Sequence, residues 1–229
     1  MKSFQIPLLL AGLAVLSLQG CGPKEVIRDE SKGNGFVRFV NVTGEPFMTS
    51  DGRADPKPEL SDGQVSPRRR SPVGPRPLKA TRDGKVLAEE DVQVALDETH
   101  TMYVFLSNGA TKHKVFIGDP QSDKTGNVAI RLVNLIEGEK ASASTDDPSA
   151  TTIGKDVPGL EASAVVQLTP ATGGYVVKVG KEAAKIPAFP RSAREGYSIA
   201  AYRDKDGKLK AAILRHSASQ MVGGGGRMQ

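Results

Sequence analysis

The chain is poor in the residues that build several familiar kinds of site. It has one cysteine, Cys21, in 229 residues, which excludes an internal disulfide, a cysteine-based zinc site and an iron–sulfur cluster. It has no tryptophan, and aromatic residues make up 5% of it. Stacking platforms of the kind that seat single-stranded nucleic acid are therefore scarce, and nucleic acid is not expected as a partner. The three histidines, His100, His113 and His216, are scattered. None lies in a His-Glu-x-x-His spacing, and the chain has no Gly-x-Ser-x-Gly elbow or phosphate-cradling loop. The expectation is a protein with no metal, no cofactor and no catalytic residues. At 38% hydrophobic and 25% charged, it is nonetheless ordinary for a chain that buries a core.

The first residues read as a targeting segment. Met1-Lys2 supplies a positive start, and Ile6 to Leu18 is uncharged and largely apolar. This run has the length of a secretory h-region and falls short of the roughly 20 residues that a membrane span needs. Leu18-Gln19-Gly20-Cys21 resembles the bacterial lipobox, in which a small residue precedes a cysteine that is lipidated and becomes the mature N-terminus. The resemblance implies acyl chains on Cys21 and a membrane partner held through them, since several chains together anchor stably where one alone does not. Gly22 stands where an Asp would mark inner-membrane retention, and under that sorting rule the destination is the outer membrane, facing the periplasm. Residues 1–20 are thus expected to be a signal peptide and 21–34 a tether.

From Cys21 onward the chain keeps all 26 acidic residues and all but one of its 31 basic ones, and the charge is uneven. Arg68, Arg69, Arg70, Arg76, Lys79, Arg82 and Lys85 lie in a short stretch whose one acid is Asp83. Clustered arginine suits carboxylate and phosphate, so these seven residues are the candidate contacts to an anionic polysaccharide or lipid headgroup. Pro67, Pro72, Pro75 and Pro77 interleave them. Prolines at that density forbid a regular element through much of the stretch, and a solvated loop is expected there.

An internal repeat organises the rest. Val37-Arg38-Phe39-Val40-Asn41-Val42 returns 93 residues later as Ile130-Arg131-Leu132-Val133-Asn134-Leu135, and Tyr103 lines up with Tyr197 at nearly the same offset. Both halves read as β. Segments 36–42, 92–96, 101–107, 112–117, 128–135, 163–168, 174–180, 196–203 and 208–215 are short, rich in Val, Ile, Tyr and Phe, and bounded by Gly, Asp, Asn and Pro. Asp83-Gly84, Asp206-Gly207 and Asn108-Gly109 are hairpin signals, because tight two-residue turns need positive φ at their central positions. The expected organisation is an all-β chain: two tandem immunoglobulin-like antiparallel β-sandwich domains at 35–121 and 127–217, a Pro/Arg-rich insertion at 53–77, and a disordered Gly-rich tail at 218–229.

The repeated (V/I)-R-x-V-N opening, Leu96-Asp97 before the strand that reaches Phe105, the Asn-Gly turn and the re-opening at Ala129-Ile130-Arg131 resemble the alginate O-acetylation accessory proteins, which consist of two small β-sandwich domains. They are equally similar to a broad group of bacterial envelope domains of tandem design. The resemblance covers about residues 35–217. It implies a non-catalytic accessory protein whose partner is an envelope protein of an acyltransferase complex. The lipobox and the 53–77 insertion depart from that pattern. Other motifs carry blander readings: Asp204-Lys205-Asp206-Gly207 is expected to be a turn rather than a calcium loop, Asp146-Asp147 a polar loop, and Asn41-Val42-Thr43 a strand rather than a glycosylation acceptor.

Overall fold

A computed structural model describes residues 33–52, 58–123 and 125–216. The signal segment, Cys21 and the Gly-rich tail lie outside the described residues. Among the described residues every regular element is a strand. The first half runs β1 (Asn34–Val42), β2 (Phe47–Ser50), β3 (Glu59–Leu60), β4 (Arg69–Pro72), β5 (Gly74–Arg82), β6 (Lys85–Val94), β7 (Thr99–Ser107) and β8 (Ala110–Ile117). The second half runs β9 (Val128–Asn134), β10 (Ala141–Thr145), β11 (Thr152–Val157), β12 (Glu161–Ala162), β13 (Val166–Leu168), β14 (Thr172–Val179), β15 (Glu182–Pro190), β16 (Gly196–Arg203) and β17 (Leu209–His216).

Each half folds into two sheets with the same wiring. An inner sheet in the order β4-β1-β7-β8 is matched by β12-β9-β16-β17, with β13 also on β9. An outer sheet in the order β3-β2-β5-β6 is matched by β11-β10-β14-β15. The named pairings are antiparallel except β1 with β7 and β9 with β16, which are parallel and occupy the same place in the two halves. Register corrects one of the sequence matches. Val40 faces Tyr103 and Val133 faces Ala200, whereas Ile130 faces Tyr197 and Val37 faces His100. The counterpart of Tyr103 is therefore Ala200, and that of Tyr197 is His100. The first motif aligns as the sequence indicates; the tyrosines coincide three residues out of step.

Alternation along β1 explains why it reads as nearly continuous apolar sequence. Val37 and Phe39 pack with Leu78, Ala80, Val92 and Val94 of the outer sheet. The opposite face of β1 sends Val40 and Val42 toward Val133, Leu135, Ala200 and Leu214 of the other half. Ile130 and Leu132 pack in turn against Tyr175, Val177 and Ile153. The layers thus stack outer, inner, inner, outer, and strands buried on both faces lose the polar alternation of a half-solvated sheet.

Two turns form as their sequences demand. Asp83 and Gly84 sit at φ 50° and 76°, and Asn108 and Gly109 at 52° and 76°, the double left-handed geometry of a type I′ hairpin. Asp206-Gly207 instead lies inside a five-residue connection, because Arg203 pairs with Leu209. There the Asp204 carboxylate accepts the Asp206 and Lys208 amides at 3.0 Å each.

The Pro/Arg-rich stretch corrects the loop expectation. Arg69–Pro72 forms β4 on β1, and Gly74–Arg82 forms β5 between β2 and β6. The prolines are tolerated because β2 reaches only Lys79 to Thr81 of β5. At Pro75 and Pro77 the strand has a neighbour on one side only, so a missing amide interrupts no ladder on the other.

Candidate functional site

The polar groups that the inner sheets carry into their shared seam converge on one cluster. Between Val37 and Phe39, Arg38 turns toward the other half and is almost wholly buried. Its Nη1 contacts Asp119 Oδ2 at 3.0 Å and His216 Nδ1 at 2.8 Å. Asp119 follows the end of β8, and its Oδ1 accepts from Thr101 Oγ1 at 3.0 Å and lies 3.2 Å from His216 Nδ1. The other ring nitrogen, Nε2, is 2.8 Å from Ser198 Oγ, which Arg131 approaches through Nε at 3.4 Å. The Tyr103 hydroxyl completes no hydrogen bond of good geometry, although Arg131 and Ser198 lie close enough to influence it.

Burial governs the electrostatics. Desolvation alone would raise the Asp119 carboxyl, but hydrogen bonding and charge from His216, with Arg38 and Thr101, hold it far below the usual carboxylate range. Desolvation pushes His216 below its ordinary value, opposed by the hydrogen bond and charge of Asp119. The same burial lowers Arg38, partly offset by Asp119, and raises Tyr103. We read the set as an ionised Arg38–Asp119 pair with a neutral imidazole beside it.

Asp119, His216 and Ser198 fall in the order and at the spacings of a nucleophilic relay. Burial sets the arrangement apart from one that is ready to react: Ser198 is 0% exposed, so no acyl group reaches it in this conformation. Arg38 Nη1 and Asp119 Oδ1 both reach Nδ1, and the tautomer decides whether Nε2 accepts from the serine or donates to it. In this state the cluster ties the two halves together.

The repeated asparagines do the corresponding work beside it. Asn41 Nδ2 donates to the carbonyls of Glu45 and Leu60 at 2.8 and 2.7 Å, and its Oδ1 accepts the Thr43 amide at 3.0 Å. Asn134 Nδ2 donates to Glu139 and Val157 at 2.8 and 2.9 Å, and its Oδ1 accepts the Ile136 amide at 3.0 Å. This geometry explains the motif. It also leaves the Asn41 sequon buried with its amide committed.

The seven basic candidates do not form one patch. Arg68 stacks on the Phe36 ring, 3.8 Å from its centroid. Arg69 donates to Thr49 Oγ1 at 2.9 Å, Arg70 is exposed, and Arg76 donates to the Pro72 carbonyl at 3.3 Å. Lys79 pairs with Glu89 at 2.6 Å, Arg82 pairs with Glu45, and Lys85 is exposed where β6 leaves the turn. Pairing across two sheets separates residues that are adjacent in sequence. His113 lies 3.5 Å from Glu90, His100 lies 3.6 Å from Glu98, and among the described residues no cluster of three metal-ligating side chains occurs.

Above the buried cluster a cleft of about 510 Å³ opens between the halves. Arg68 borders it from the first half, Arg194 and Gly196 from the second, and the 119–123 connection crosses it; Asp119 and His216 reach its floor. Sequence reasoning singled out Arg68 for its charge and set His216 aside. Asp119 and Ser198 drew no attention, because no local pattern marks residues that meet only through the sheet wiring. No protein-family model matches the chain, and a search of curated proteins gives no match.

Proposed function

We propose that the protein is a non-catalytic lipoprotein of the bacterial envelope, lipidated on Cys21 and acting as an interaction or accessory protein. By its resemblance, its setting is the O-acetylation of an alginate-like exopolysaccharide, with an acyltransferase complex supplying the protein partner. The observation that carries the reading is the position of the chain's one cysteine, directly after an uncharged run and a small residue. Four packed layers support it, since they offer sheet faces and edges of fixed shape for docking. Metabolic labelling with palmitate tests the anchor. Cys21→Ser should lose the label and leave the membrane fraction, and equal labelling of the variant would end the lipoprotein reading. A partner that co-purifies with the full chain through a high-salt wash supports the accessory role.

The second reading, a binding module for anionic polysaccharide or headgroups through residues 68–85, has narrower support. Lys79 and Arg82 are matched by acids, while Arg68 borders the cleft. Salt-sensitive retention on alginate without a protein partner would favour it.

A further inference from the structure

We propose that the cleft between the halves binds a small, hydroxyl-bearing carboxylate, a sugar acid or hydroxy acid, with Arg68 and Arg194 holding the carboxylate. This goes beyond the accessory role and stands or falls separately from it.

Charge balance at the cleft points to an anion. Two arginines of the second half's surface are matched by acids: Arg203 holds Glu139 and Glu182, both at 2.9 Å, and Arg215 holds Glu195 at 2.7 Å; Arg191 donates instead to the Ala171 carbonyl and the Tyr175 hydroxyl. Among the described residues, no carboxylate pairs with Arg68 or Arg194. Asp119 is occupied by Arg38, Thr101 and His216. Asp123 is occupied by the Thr125 amide and the Asn127 side chain, each at 3.0 Å. Arg68 is held in place by the Phe36 ring, and its Nε is buried without a hydrogen-bond partner, a donor whose desolvation is uncompensated. Arg194 is exposed and sits at φ 64°, a left-handed conformation that a branchless glycine would adopt more easily and that tends to persist at binding sites.

The remaining lining selects among anions. Asp123 lines the cleft and bonds only neutral groups, so its negative charge disfavours a dianion such as phosphate. Gln121 lines the cleft, and its amide group has both a donor and an acceptor, as hydroxyl groups require. The volume falls within the range of small-ligand sites. Gly196 keeps the wall close: a Cβ there would meet the Pro120 carbonyl oxygen at 2.0 Å.

The test is calorimetric titration of the mature chain with sodium D-glucuronate, D-glucose and sodium acetate, compared with Arg68→Gln and Arg194→Gln. Saturable glucuronate binding is expected, weakened about tenfold or more in each variant, with glucose and acetate far weaker. Arg194→Gln alters an exposed side chain and keeps the test valid if Arg68→Gln fails to fold. Absence of saturable glucuronate binding would overturn the proposal, as would undiminished binding by Arg194→Gln. Acetate binding equal to glucuronate would overturn the hydroxyl requirement, and glucose binding equal to glucuronate would overturn the carboxylate.

Discussion

The two halves share their wiring, yet their buried arginines have different fates. Arg38 reaches a carboxylate and an imidazole, whereas Arg131 makes one long contact to Ser198 and leaves Nη2 without a partner. The difference arises just past the last strand of each half. Register places Gly118 and His216 at equivalent positions, and Asp119 follows only the first. The asparagines, by contrast, make the same three bonds to the backbone on both sides. What is common to the halves builds the sandwich, and what differs builds the site between them.

The largest expected effect breaks that difference open. Arg38→Met strands the buried Asp119 charge and should cost about 3–5 kcal/mol, whereas Arg131→Met removes an incompletely partnered cation and should cost about 1 kcal/mol or less. Chemical denaturation of the two variants checks this, and equal losses would erase the asymmetry. The shared element comes next. Asn41→Ala and Asn134→Ala each leave two carbonyls and an amide without partners and should each cost about 2–3 kcal/mol; a clearly unequal pair would undo the equivalence.

Acid should act through the second half's histidine. The native state holds His216 below its ordinary value, so the unfolded chain takes up a proton that the folded one refuses. Stability should fall as pH drops below about 6.5, by up to about 1.4 kcal/mol per pH unit for each such group. His100, also lowered by burial against the opposing charge of Glu98, adds with the same sign. Asp119 works lower down: its contribution is present above the unfolded carboxylate value of about 3.9 and is lost as pH falls toward its depressed native value. Unfolding curves between pH 7 and 5 should flatten in His216→Gln relative to the parent. The smallest effect separates the basic residues. Arg69→Ser should cost about 1 kcal/mol through the lost bond to buried Thr49, and Lys79→Ser less than about 0.5 kcal/mol because its ion pair is solvated.

Much of the architecture was legible because the central strands of the inner sheets are sealed on both faces. Val37 to Val42 and Ile199 to Ala201 read as strands from composition alone. Outer strands were harder. Glu182–Pro190 carries three alanines and two prolines on a largely exposed edge, and Gly74–Arg82 hides a strand behind proline; partial burial leaves little apolar pattern to read. The Asp83-Gly84 and Asn108-Gly109 turns were local problems with local solutions, whereas the Asp206-Gly207 loop depends on where β16 and β17 stop pairing. The cleft was least visible. Arg68, Asp119, Arg194 and His216 come from four separate stretches of chain, and only the facing of the two inner sheets brings them together.

The placement of β1 also has a mechanical side. The strand lies between β4 and β7 and is held in register with β7 from Phe36 to Val42. A pull applied at Asn34 therefore runs along the strand and loads that ladder in shear, so its hydrogen bonds share the force instead of parting one after another. An anchor upstream would transmit tension into a strand paired on both sides, and that strand would resist extraction far better than an edge strand peeled from one end.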